Sequence, residues 1–107
     1  MTKKIKSLAD GQLGTTKGTL YTAPAATQAV AERITLVNTS SGTVNVNIYF
    51  KASGGTSRRI TPKDLEIEGN GLAVIDDEQT LEAADIIEGD ASAADLIDFT
   101  ISGVENS

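Results

Sequence analysis

Apolar and polar residues alternate one by one along much of this chain. The clearest case is Thr43–Lys51. There Val44, Val46, Ile48 and Phe50 face one way, and Thr43, Asn45, Asn47, Tyr49 and Lys51 face the other. A period of two is that of a strand with one packed and one wet face. Two further segments repeat it. In Arg33–Asn38, Ile34 and Leu36 share a face; in Leu96–Val104, Ile97, Phe99 and Ile101 oppose Asp98, Thr100 and Ser102. Shorter β-prone runs occur at Thr19–Thr22, Leu65–Ile67, Leu72–Ile75, Thr80–Leu81 and Asp85–Gly89.

Turn signals separate these runs. Thr39-Ser40-Ser41-Gly42 and Ser53-Gly54-Gly55-Thr56 are turn and loop clusters, and Thr61-Pro62 interrupts the strand pattern. Asn70-Gly71 is a hairpin signal, because type I′ turns need positive φ at both central positions. The alanine-rich Asp90–Asp95 reads as a loop or a single helical turn, and no segment carries ten residues of helical period. The pattern predicts an all-β fold over residues 19–105, an antiparallel β-sandwich or jelly roll of seven or eight short strands. Residues 1–18 are polar, glycine-dotted and basic, with no visible repeat. They predict an extended, flexible N-terminal arm, loose or ordered only on a partner.

Composition narrows the chemistry. A chain of 107 residues makes one domain with one modest core. That core is light: ten glycines, four aromatic residues and no tryptophan. Stability is then expected to draw partly on oligomerisation or docking. The chain contains no cysteine and no histidine. Disulfides and thiolate sites are excluded, and the commonest acid/base residue and zinc ligand is missing. No apolar run nears the roughly 20 residues of a membrane helix. The basic start, Lys3-Lys4-Ile5-Lys6, leads into Ser7-Leu8-Ala9-Asp10 rather than a signal-peptide core. A soluble protein made in the cytoplasm is expected.

Charge is divided sharply. All nine basic residues lie in the first 63, beside only two acids, Asp10 and Glu32. From Asp64 onward there are thirteen acids and no base. The two stretches carry +7 and −13. Such polarity suits assembly through opposed electrostatic surfaces. The candidate docking residues are Lys3, Lys4, Lys6 and Lys17 of the arm, with Arg58, Arg59 and Lys63 of the domain. Arginine forks bind carboxylates and phosphates. For Arg58 and Arg59 a carboxylate of a neighbouring subunit is the first partner, and an internal acid the second. The lysines lack the interleaved aromatics of a nucleic-acid surface, so nucleic acid is not expected as a partner.

Catalysis finds little footing. No Ser-x-x-Lys pair is present, and the many carboxylates make chance pairs. Asp76-Asp77-Glu78 and the acids of Asp90–Asp95 do not follow the EF-hand spacing and read as solvated loop charge. Gly11, Gly14 and Gly18 neither follow a strand nor open a helix, so they form no phosphate loop. No catalytic, cofactor or metal residues are assigned.

A series of phrases adds a further expectation. They are Lys17-Gly18-Thr19-Leu20-Tyr21-Thr22-Ala23-Pro24, Ile34-Thr35-Leu36-Val37-Asn38-Thr39, Val46-Asn47-Ile48-Tyr49-Phe50, and Arg58-Arg59-Ile60-Thr61-Pro62-Lys63-Asp64-Leu65. Thr80 through Ala91 and Ile101-Ser102-Gly103-Val104-Glu105 complete the series. In this order, over about residues 11–105, the chain resembles small β-rich virion proteins of tailed bacteriophages and prophages. The resemblance implies a particle component located in the virion and no enzyme. It implies a capsid decoration (cement) protein first, with the major capsid protein or other virion proteins as partners. A homo-oligomer is implied with it, a trimer first. A tail- or fibre-associated domain is the runner-up. Two other readings are a carbohydrate-binding sandwich, which needs exposed aromatics, and a DNA mimic, which needs the acids on one continuous face.

Overall fold

A computed structural model describes residues 2–107. Ten strands follow one another: β1 (Lys3–Gln12), β2 (Gly18–Thr22), β3 (Gln28–Asn38), β4 (Val44–Lys51), β5 (Ser57–Arg59), β6 (Leu65–Ile67), β7 (Leu72–Ile75), β8 (Gln79–Leu81), β9 (Ile86–Ala91) and β10 (Ile97–Asn106). They build two five-stranded antiparallel sheets. The first runs β1-β10-β3-β7, with β8 also on β3; the second runs β2-β9-β4-β5, with β6 also on β4. The pairings nest: β1 with β10, β2 with β9, β3 with β7 and β8, β4 with β5 and β6. This is one long hairpin rolled up so that β10 also pairs β3 and β9 also pairs β4. The result is a jelly roll. It has eight strand positions, two of them filled by two short strands each, and this is why ten strands appear where the sequence suggests seven or eight.

The apolar faces meet between the sheets. Ile34, Leu36, Ile97 and Ile101 from the first sheet and Val46, Ile48 and Ile87 from the second are almost fully buried. Alternation along β10 is as the sequence indicates: Ile97, Phe99 and Ile101 inside, Asp98, Thr100 and Ser102 outside. At the end of β3, Asn38 uses its whole side-chain amide. Its Nδ2 donates to the carbonyls of Gly42 (2.8 Å) and Ile67 (2.9 Å), and its Oδ1 accepts from the Ser40 backbone N–H (2.9 Å) and hydroxyl (2.7 Å). A buried amide so satisfied fixes the turn it closes. Buried Asp85 likewise accepts from the backbone N–H of Ser53 (2.8 Å) and Glu82 (2.9 Å).

Several expectations are corrected. Residues 1–18 are not a loose arm among those described. Lys3–Gln12 pairs along β10, Leu13 is fully buried, and the Leu13 N–H donates to Ile97 (3.0 Å). The register of β1 shifts between Ser7 and Ala9, which breaks the alternation and hides the strand from a pattern search. β3 begins at Gln28, five residues before the run visible in the sequence, for the same reason. Its register with β10 slips where Ser102 pairs Arg33 but Gly103 pairs Ala31. Glu32 is the extra residue, so Ala29 and Ala31 face inward out of phase with Ile34 and Leu36. The slip presses the backbones together: a Cβ on Gly103 would sit 1.8 Å from the Val30 carbonyl oxygen.

Asn70-Gly71 does not close a hairpin. β6 pairs β4 in the second sheet and β7 pairs β3 in the first, so this turn carries the chain between sheets. The Gly71 N–H donates to the Glu68 carbonyl (2.9 Å), and Asn70 holds positive φ (61°) at the third position of that turn. Asp90–Asp95 is not helical; Asp90 and Ala91 finish β9 and the rest bends. The charge division does not survive folding as two faces. Acidic β9 lies between β2 and β4, and β10 lies between lysine-bearing β1 and β3.

Candidate interaction surface

The outer face of the second sheet departs most from its expected character. The alternation of β4 predicts a wet outward side, yet Asn47 and Tyr49 are both buried. Neighbouring strands supply the cover. Register places Asn47 opposite Asp90, and Tyr49 between Glu88 of β9 and Arg59 of β5. Asn47 Nδ2 donates to Asp90 Oδ1 (3.0 Å) and Asp64 Oδ1 (3.1 Å). Its Oδ1 accepts from Arg59 Nη1 (2.6 Å) and the Asp64 backbone N–H (2.8 Å). The Tyr49 hydroxyl donates to Asp90 Oδ2 (3.0 Å), and the Ser57 hydroxyl donates to Glu88. Burial and this bond raise the Tyr49 pKa, while Arg59 opposes them.

Two cations lie on the same ring. Lys17 Nζ is 4.4 Å from the Tyr49 ring centroid and the Arg59 guanidinium carbon 5.2 Å, both within cation–π range. The break between β5 and β6, at Thr61-Pro62, makes room for Asp64 over Asn47. Thr61 closes the break by accepting the Ile48 N–H on its hydroxyl (3.1 Å).

The seven candidate docking residues therefore part into groups. Lys3, Lys4 and Lys6 sit on β1 at one edge of the first sheet. Lys6 is committed: its Nζ lies 3.1 Å from Glu105 Oε1, the only ion pair among the described residues. Glu105 also accepts the Tyr21 hydroxyl (2.6 Å), a bond that reaches from the first sheet to the second. That hydrogen bond, with Lys6, holds the Glu105 carboxyl below its ordinary range, against its partial burial. Burial foremost, and then Glu105, push the Tyr21 phenol up. Lys17 and Arg59 meet over Tyr49 on the second sheet. Arg58 pairs opposite Phe50, on the other side of β5 from Arg59, and Lys63 precedes Asp64 in the β5–β6 break. Sequence proximity of Arg58 and Arg59 thus does not make them one site.

The outer face of the first sheet is the reverse of the second. Its ladders put Ile5, Val104, Val30 and Thr80 in one row across β1, β10, β3 and β8. Leu72 lies opposite Val37, and Val74 opposite Thr35. Ile5 is 92% exposed, Leu72 63% and Val74 48%. Beside Ile5 opens a shallow groove of about 850 Å³, lined by Glu32, Arg33, Asp76, Asp77 and Glu78 with Ser102 and Gly103. This row is hidden in the sequence. Lys4-Ile5-Lys6 alternates as a strand does, but the bulge at Leu8 cuts the signal short.

Neither alternative sequence reading finds its surface. Tyr21, Tyr49 and Phe99 are buried and Phe50 half-buried, so among the described residues no aromatic ring stands fully exposed as a platform for sugars. The acids that follow Asp64 lie on both sheets rather than on one face.

No protein-family profile matches the chain, and no curated protein matches it in sequence. Solved structures do match in fold. A chain from Bacillus endospore appendages, described as disulfide-linked pili, superposes with a TM-score of 0.58 at 14% identity, over 99% of this chain and 87% of that one. A chain from the acid-stable capsid of Helicobacter pylori bacteriophage KHP30 gives 0.52 at 10% identity, over 97% and 92%. A chain of infectious bursal disease virus, Gx strain, gives 0.50 at 15% identity, and this chain spans 32% of its length. At these identities the likeness defines a class of fold: an all-β jelly roll found in capsid and appendage assemblies. This chain has no cysteine and cannot form the disulfides of the pili.

Proposed function

We propose that the protein is a structural component of a tailed-phage particle, a decoration protein that binds the assembled head shell and stabilises it. The observation that carries this reading is the fold: a jelly roll that superposes over 92% of a chain from a phage capsid. The resemblance of its sequence phrases to small phage virion proteins supports it independently. So does the character of the surface, which offers charge and bare apolar rows. Lys3 and Lys4, exposed at one end of β1, meet acidic groups of the shell. Copies contact one another on that lattice. The test is stoichiometry. Copy number on the scale of the major shell protein, retained on emptied heads without tails, is expected. A few copies that fractionate with tails would replace decoration by the tail-associated reading.

A further inference from the structure

The homo-oligomer within that reading has a specific seam. We propose that the outer face of the first sheet in one copy seats the outer face of the second sheet in another, a head-to-tail contact. The first observation is the bare apolar surface. Ile5, Leu72 and Val74 are the large hydrophobic residues left exposed among those described, and all three lie on this one face. Apolar rows across four strands mark a surface that meets another.

Charge selects the occupant. The groove beside Ile5 carries four acids and one base: Glu32, Asp76, Asp77 and Glu78 against Arg33. Two copies meeting through this same face would set those acids against each other, which costs energy when desolvated. The second sheet offers three cations set among its acids. Lys17 and Arg59 stand over Tyr49, and Lys51 follows on the same side of β4. None of the three has a carboxylate within ion-pair distance. The acids beside them, Asp64, Asp90 and Glu88, are engaged by Asn47, Tyr49 and Ser57. Lys17 and Lys51 thus stand without a carboxylate partner, while Arg59 is held by Asn47 Oδ1 (2.6 Å).

Size and edges agree. The body measures 45 × 27 × 20 Å, so its broad faces can supply the about 800 Å² per partner of a stable contact. Strand addition at the edges is blunted. β5, β6 and β8 are three residues long, β7 is four, β2 is five with a register shift, and β1 carries three lysines and a bulge.

A complementation experiment tests the seam on the purified full chain, apart from any virion. One variant carries Lys17→Glu and Lys51→Glu; the other carries Asp76→Lys, Asp77→Lys and Glu78→Lys. All five positions are surface or strand-rim sites, and circular dichroism checks that both variants fold. Sedimentation at low salt is expected to show wild-type association that weakens at high salt. Each variant alone is expected to sediment as monomer, with association at least tenfold weaker. Mixed together, they are expected to regain association, because each contact then sets a basic face against an acidic one, the wild-type pair and the reversed pair alike. A wild type that stays monomeric at high concentration overturns the proposal. So does a wild-type oligomer that both variants still form alone. Failure here leaves the virion reading to be judged by its own stoichiometry.

Discussion

The two outer faces of this jelly roll are built from the same alternation and end in opposite states. On the second sheet, the side of β4 turned away from the core is buried again, under Asn47, Asp64, Asp90, Tyr49 and Arg59. On the first sheet, outward residues of the edge strands β1 and β7 stay bare, with Ile5 92% and Leu72 63% exposed. The difference lies in what the neighbouring strands carry. β5 and β9 flank β4 with side chains long and polar enough to fold over it and satisfy one another. β1, β7 and β8 flank their sheet with Ile5, Leu72, Val74 and Thr80, which cannot reach across. A face that covers itself spends its hydrogen bonds internally, whereas a face that does not keeps apolar area for a partner. Under the proposed seam, the centre of the second face does structural work and the first face is the one a partner copy covers.

The contrast can be broken by substitution, beginning with the largest effect. Gly103→Val drives a side chain into the Val30 carbonyl at the slip that shapes the first face. It is expected to cost about 3 kcal/mol in denaturant unfolding. A stability equal to wild type would show that the β3–β10 slip relaxes freely. Asn47→Ala removes the hub of the second face and leaves Arg59, Asp64 and Asp90 short of partners. A loss of about 2 kcal/mol is expected. A change within error would mean that water replaces the network and that the cover is incidental. Tyr49→Phe deletes one hydrogen bond to Asp90 and keeps the ring under Lys17, so about 1 kcal/mol is expected. Ile5→Ser on the first face should change stability by under about 0.5 kcal/mol. A larger loss would place Ile5 in the fold rather than on its surface.

Titration sharpens the link between the sheets. The Glu105 carboxyl is lowered from about 4.5 in the folded chain, chiefly by the Tyr21 hydroxyl. Its contribution is therefore present above the unfolded value and lost as pH falls through the folded one. The melting temperature of wild type should drop relative to Glu105→Gln across that acid window and run parallel to it at neutral pH. Curves parallel at every pH would remove Glu105 from the account. The Tyr21 phenol works the other way: raised in the folded chain, it costs stability only as pH climbs beyond its ordinary value near 10.

Much of this architecture is legible in the sequence, because strict alternation reports a sheet with one buried face. β4 and β10 show themselves this way, and the all-β class follows from them. What the sequence conceals has one recurring cause. β1 and the first half of β3 each contain a register slip, at Leu8 and Glu32, and a slip turns an even period odd. The hairpin suggested by Asn70-Gly71 misleads because a turn residue reports local φ and says nothing about which strands it joins. The candidate docking residues fared unevenly for a similar reason. Lys17 and Arg59 are 42 positions apart in the chain and share one tyrosine ring, whereas adjacent Arg58 and Arg59 point to opposite sides of β5. Charge runs along a chain carry no information about neighbours across a sheet. The +7 and −13 halves illustrate it, since folding interleaves them strand by strand.

In the proposed seam, copies meet face to face and the bare rows of the first sheet are covered on assembly. Hydroxyl-radical footprinting reads side-chain exposure directly, in dilute high-salt solution and again in concentrated low-salt solution. Ile5, Leu72 and Val74 are expected to lose reactivity together on association, while Phe99 in the core stays unchanged. Association that leaves those three as reactive as before, whatever else becomes protected, would contradict the account.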